Sequence, residues 1–178
     1  MDSINQQQQE ENYKPLNGKE AIEKMKELAE KNKTCFFCTN TNQDFPTVRP
    51  MSVQKIDDDG NFWFLSADDS HKNAELKENF HVQMLFQGSA HSDFLCVNGS
   101  ASISKDKNKI KELWEPIIKT WFTGGVDDPR ITVIKVAAID GYYWDNKHGN
   151  AVAFVKMAAG AIMGKTLDDS IEGKLKSV

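Results

Sequence analysis

The chain has 178 residues, of which 39% are hydrophobic and 27% charged, and its formal net charge is −4. That length supports one sizeable core and not two ordinary domains. The acidic balance leaves no global positive field for nucleic acid or anionic lipid, so any anion has to be bound locally.

Met1 to Glu11 is polar and Gln-rich with no signal-peptide core, and no apolar run in the chain approaches the roughly 20 residues that span a bilayer. The expectation is a cytoplasmic protein with neither membrane nor nucleic-acid partners. Residues 1–14 cannot bury enough surface to offset their ordering entropy and read as a disordered tail, leaving one domain over 15–178. Asn17 followed by Glu20 resembles a capping box, and Ala21, Ile22, Met25, Leu28 and Ala29 recur at helical spacing, which predicts a first helix from Gly18 to Asn32.

Thr34 to Thr39, Pro46 to Ile56 and Asn61 to Ser66 are β-prone stretches separated by Asn42-Gln43-Asp44 and Asp57-Asp58-Asp59-Gly60, a meander pattern. Cys35 and Cys38 match C-x-x-C, but i and i+3 of a strand face opposite ways. Core packing therefore outweighs redox chemistry, and three cysteines without a disulfide framework suit a reducing compartment. The acidic turn lacks the glycine and glutamate positions of a calcium loop and reads as a solvated hairpin tip.

Thr47, Arg49, Met51 and Val53 share one strand face, and an arginine on a mostly apolar face needs an anionic partner. Two partners are open: a carboxylate elsewhere in the fold, or a bound anion. Pro50 places the segment at a sheet edge or beside a bulge, which frees backbone groups at Met51 and Ser52. After Leu65-Ser66 and Ala67-Asp68-Asp69, a helix expected over Ser70 to Asn79 opens with Ser70-His71-Lys72. Free N–H groups at a helix start favour phosphate, while an ordinary cap serine and a solvated lysine would look the same.

Strands are expected at His81 to Gln87, Asp93 to Ser104 and Ile131 to Ile139, with a helix from Asp106 to Phe122 between the last two. So many short strands suggest a closed barrel. Gly141-Tyr142-Tyr143-Trp144 continues or ends the last strand, and Ala151 to Met163 is apolar enough for a short packing helix before a polar end. His71, His81, His91 and His148 have no metal-site spacing. Gly124-Gly125 lacks the Lys-Ser/Thr ending of a phosphate loop. Lys105, Lys107, Lys109 and Lys111 read as a solvated helix face.

Arg49, Leu65-Ser66 and Ser70-His71-Lys72, in that order, resemble the FMN-binding split-barrel family that includes pyridoxamine phosphate oxidase, most closely its general stress protein subgroup. The likeness runs from about Gly18 to Lys165. It continues through Leu76 to Asn79, Val97-Asn98-Gly99-Ser100-Ala101, Trp121-Phe122 and Asp127-Asp128-Pro129. It implies a mainly β fold with flanking helices (α+β), an antiparallel Greek-key-like split β-barrel that binds FMN.

Arg49, Ser70 and Lys72, with His71 beside them, would hold the FMN phosphate. Pro50, Met51 and Ser52 would pass along the isoalloxazine ring, and Leu65 and Ser66 would touch the ring or ribityl chain. The resemblance also implies a homodimer with two flavin sites across its interface, the second subunit supplying Phe94 and Trp144. His71, Gln54, Phe94, Asn150 and Phe154 depart from the oxidase pattern where it has cations or a glutamine. Loss of those cations argues against pyridoxamine phosphate oxidase activity. A small FMN-dependent oxidoreductase using a small-molecule electron donor or acceptor is the first expectation. A flavin-binding stress or sensor protein without turnover, and a partner-binding barrel with an empty site, are the alternatives.

Overall fold

The computed structural model describes residues 12–90, 92–163 and 169–177. Of the tail expected over 1–14, residues 1–11 lie outside that set. Residues 12–14 instead run beside the last strand: Lys14 N–H donates to Glu172 O at 2.8 Å and Tyr13 bridges Glu172 in parallel. Strand β1 (Leu16–Asn17) continues this line into helix α1 (Gly18–Lys31). Asn17 is the residue before α1, as the spacing predicts, but its side chain makes no capping bond. The helix is held by packing instead, with Ala21, Met25, Leu28 and Ala29 fully buried. Truncating Leu28 to Ala would cost about 2–5 kcal/mol at such a site.

Strands β2 (Thr34–Thr39), β3 (Thr47–Ser52), β4 (Lys55–Ile56) and β5 (Asn61–Ala67) form the meander. The β4–β5 turn is the expected hairpin tip. Gly60 takes φ +78°, and the Asp57 carboxylate accepts from Asn61 and from Trp63 Nε1. Helix α2 (His71–Glu78), β6 (His81–Gln87), β7 (Phe94–Ser104), helix α3 (Lys107–Leu113), β8 (Ile131–Asn146), helix α4 (Asn150–Met163) and β9 (Ser170–Lys176) complete the order.

Two expectations are corrected, and one open reading is decided. The helix predicted to Phe122 stops at Leu113, because Pro116 cannot continue it, and a 3-10 turn at Pro116–Thr120 follows. The strand expected from Ile131 to Ile139 continues through Gly141-Tyr142-Tyr143-Trp144, one of the two readings of that segment, and runs on to Asn146. The polar end is a strand, β9, antiparallel to the second half of β8 and parallel to β1.

The sheet order is β1-β9-β8-β7-β6-β2-β3, with β5 on β8 and β4 on β5. The fold is mainly β sheet with helices, of the α+β class. Among the described residues no closed ring of pairing forms: the ladder branches at β8 and ends at β1, β3 and β4, of which β3 and β4 bear on the site. These strands are consecutive, and the chain changes partner between them. Val53 N–H donates to Lys33 O at 2.7 Å and Gln54 N–H to Trp63 O at 2.8 Å.

One core lies between α1, α2 and the sheet's inner face, built on Met25, Leu28, Phe37, Phe62, Phe64, Met84, Val97 and Tyr143. A second joins α3 and the 3-10 turn to β5 and β8 through Ile110, Leu113, Ile118, Phe122, Ile131 and Val133. No helix of the described residues is long and apolar enough to cross a membrane.

Candidate anion site between β3 and α2

Arg49 pairs in register with Phe37 of β2 and lies on the sheet's inner face, as the two-residue period requires. Since β3 pairs with β2 alone, Pro50 sits on an edge strand where its missing N–H breaks no inner ladder. The guanidinium donates through Nη2 to Glu75 Oε2 at 2.7 Å and through Nη1 to Thr39 Oγ1 at 3.0 Å. The Thr39 hydroxyl, fully buried, donates to the same Glu75 oxygen at 2.5 Å. The internal carboxylate that was one of two open partners is therefore present. Burial pushes the Glu75 carboxyl up, but hydrogen bonds from Thr39 and Arg49 outweigh it and hold the group below its ordinary range.

Lys72, in the first turn of α2, is brought to the same place. Burial, then the charge of Arg49, pull its ammonium below the ordinary 10.5, against opposing pulls from Asp69 and Glu75. Two strand-and-helix segments equivocal in sequence thus converge on one point, with two cations facing one firmly held carboxylate. Among the described residues Lys72 makes no ion pair.

Ser70 is the N-cap of α2. Its Oγ accepts from Asn73 N–H at 3.4 Å and lies 3.2 Å from Ser66 Oγ. Ser66 is buried and donates to Asn73 Oδ1 at 2.8 Å, while Asn73 donates to Thr132 Oγ1 at 2.9 Å. This polar chain fixes the start of α2 against β5 and β8. The backbone N–H groups of His71 and Lys72 fall in the first turn, where no intrahelical carbonyl reaches them. His71 itself is exposed.

The remaining candidates divide by face. Met51 points inward against the main core, whereas Pro50 and Ser52 point outward and are exposed. Leu65 is half-buried against the second core. Phe94 and Trp144 are direct partners across β7 and β8, at a row distant from Arg49. Trp144 is 41% exposed and its ring lies 4.6 Å from that of Tyr142. Gln54 Nε2 donates to Ser52 O at 3.0 Å. Phe154 is 65% exposed on α4, so the expectation of a packing helix is corrected: Val152, Phe154, Val155 and Met157 all face outward. Sequence reasoning missed Thr39, Glu75 and Asn73, since a glutamate inside a helix reads as a solvated charge. The i, i+3 spacing of Lys72 and Glu75 was the available signal.

The weaker constellations resolve as packing or surface. Cys35 and Cys38 are both buried, and burial pushes the Cys35 thiol up to about 12. Lys105 and Lys109 pair with Asp68 and Glu112. His91 lies outside the described residues, and among those described no cluster could hold a metal.

Comparison with known proteins gives consistent results. Residues 20–168 match the family model described as pyridoxamine 5'-phosphate oxidase like. The protein bli-3 of Neurospora crassa is 30% identical over 105 residues, 54% of this chain and 50% of that protein. The chain thus spans about half the length of the curated relative it matches. A general stress FMN/FAD binding protein from Xanthomonas citri has 26% identity and a TM-score of 0.58, over 67% of this chain and 84% of that one. A structure from Jannaschia sp. CCS1, provisionally named general stress protein 26, is similar in fold. Its TM-score is 0.70 at 20% identity, over 89% of this chain and 99% of that one.

Proposed function

The chain belongs to the pyridoxamine 5'-phosphate oxidase-like family, and on that premise we propose that it binds FMN between Arg49 and Lys72 and acts as a small flavin-dependent oxidoreductase. The observation that carries this reading is the convergence of two cations on one carboxylate. Arg49 spends two of its five N–H donors on Thr39 and Glu75 and keeps the rest. Lys72 and the first-turn N–H groups of α2 complete a donor set suited to a phosphomonoester.

In this reading Ser70 holds the helix start through its cap, and Ser66 does so through Asn73, so both shape the phosphate cradle. Pro50, Met51 and Ser52 flank the ring, with Leu65 and the exposed His71 at the margins. When bound, the isoalloxazine supplies the redox chemistry, which explains why no side-chain nucleophile or base is called for. Gln54 and Phe154 give the substrate side no cationic clamp, so a phosphorylated vitamin is not the proposed substrate. The same reading takes the sheet as a split barrel, because 47–56 pairs with β2 through its first half and with β5 through its second.

A homodimer is part of the proposal. Pro50, Phe36, Leu85, Cys96 and Tyr142 stand in register across five strands on the outward face, and Phe36 is 57% exposed. Phe94 and Trp144 share that face, where they would reach a partner's flavin. Cytoplasmic residence fits three unpaired thiols. The stress-related FMN/FAD binding protein of Xanthomonas citri favours a second reading, a flavin-binding stress protein without turnover.

Fluorescence titration with FMN and riboflavin tests the binding, and sedimentation of the loaded protein tests the dimer. Tight FMN binding with much weaker riboflavin binding is expected, and a protein that ignores FMN overturns the reading. Reduction of the bound flavin by NADH or NADPH at a useful rate separates the oxidoreductase from the stress protein.

A further inference from the structure

Resting on the flavin-phosphate reading above, we propose that Glu75 determines the specificity of the anion site. It is a built-in counter-ion that an incoming group has to displace from Arg49, so that only a dianionic phosphomonoester gains by entering. The geometry is unusual for a helix-surface glutamate. Lys72 stands three residues earlier on the same face of α2, the ordinary place for a local ion pair. Glu75 nevertheless directs one oxygen, Oε2, to Arg49 at 2.7 Å and to the buried Thr39 hydroxyl at 2.5 Å. Lys72 is left without an ion pair among the described residues.

Exchange decides what can bind. A monoanionic carboxylate ligand would replace one carboxylate with another, and Glu75, tethered to α2, competes at the high effective concentration of an intramolecular group. A neutral flavin offers Arg49 nothing in return. A phosphate dianion engages Arg49 and Lys72 together, relieves the repulsion between them, and repays the loss of the Arg49–Glu75 pair. Glu75 can retain its bond from Thr39 as it gives up Arg49.

Glu75→Gln keeps the shape and an acceptor for Thr39 while deleting the competing charge. Calorimetric titrations of the parent and this variant with FMN, riboflavin and inorganic phosphate read the effect. FMN and inorganic phosphate are expected to bind about tenfold tighter to the variant, the scale of one charged hydrogen bond, with riboflavin unchanged. Unchanged or weaker binding of both phosphates by a variant that melts like the parent overturns the proposal. Glu75→Asp, which draws the carboxylate back from Arg49 while keeping its charge and leaving the Arg49–Thr39 bond in place, should act in the same direction by a few-fold; should Glu75→Gln not fold, weaker phosphate binding by Glu75→Asp overturns the proposal on its own. The two readings fail separately. If inorganic phosphate binding tightens while FMN never binds, the exchange stands and the flavin assignment falls. If parent and variant bind FMN equally well, the flavin assignment stands and the role of Glu75 falls.

Discussion

Two lysines, Lys31 and Lys72, carry opposite electrostatic signatures. Lys31, at the end of α1, lies 2.5 Å from the buried Asp93, 3.5 Å from Glu27 and 3.8 Å from Asp145, while neighbouring Lys24 lies 2.5 Å from Asp145. Burial pulls the Lys31 ammonium down, yet Asp93 and the other carboxylates more than compensate and raise it above its ordinary value. Lys72 is pulled down by burial and by Arg49, and Asp69 and Glu75 do not make up the difference. One cluster over-supplies carboxylates and ties α1 to β7 and β8. The other is short of them at the edge of β3. A network built for stability closes its charges, and one that leaves a cation in surplus fits the proposed anion site.

The largest expected effect is on the first cluster. Asp145→Ala leaves Lys24 without its buried partner and should cost about 3 kcal/mol in urea denaturation, with FMN affinity unchanged. A parallel loss of FMN binding would erase the distinction between the regions. Next comes Lys72→Ala, which should weaken FMN by about 2 kcal/mol while the melting temperature holds or rises, because it removes a repulsion. A clear drop in melting temperature would make Lys72 structural.

The smallest effect is in pH dependence. A lysine depressed in the fold binds its proton more tightly when unfolded, so the Lys72 contribution to stability rises as pH climbs through its lowered pKa toward 10.5. Lys31 is the reverse: its contribution is present below 10.5 and is lost as pH rises through its raised value. Lys72→Met should therefore gain less stability than the parent as pH approaches 10.5 from below, read as denaturation midpoints. Identical pH profiles would mean that Lys72 is not electrostatically strained.

Much of this was legible in the residues. β2 and β6 lie where alternation and flanking turns put them, from Thr34 to Thr39 and from His81 to Gln87. β9 was hidden because Ser170–Lys176 carries three charges and is flanked on its outer side only by the two-residue β1. The over-long third helix came from reading apolar spacing across Pro116, whose ring forbids it. At the site, Arg49 and Lys72 were visible as separate signals. Their meeting with Glu75 was not, because side-chain spacing along one element says nothing about which neighbour a second element presents. The same limit applies to α4, where Val152, Phe154, Val155 and Met157 promised burial and instead face outward.

The triangle of Thr39, Glu75 and Arg49 has a consequence for the order of events in a cell. A newly made chain whose guanidinium already has an internal partner can finish folding before any cofactor arrives. On the proposed flavin reading, supply of the cofactor would then govern how many molecules are loaded rather than how many survive. A shortage would leave a standing reserve of intact, empty protein ready to be filled.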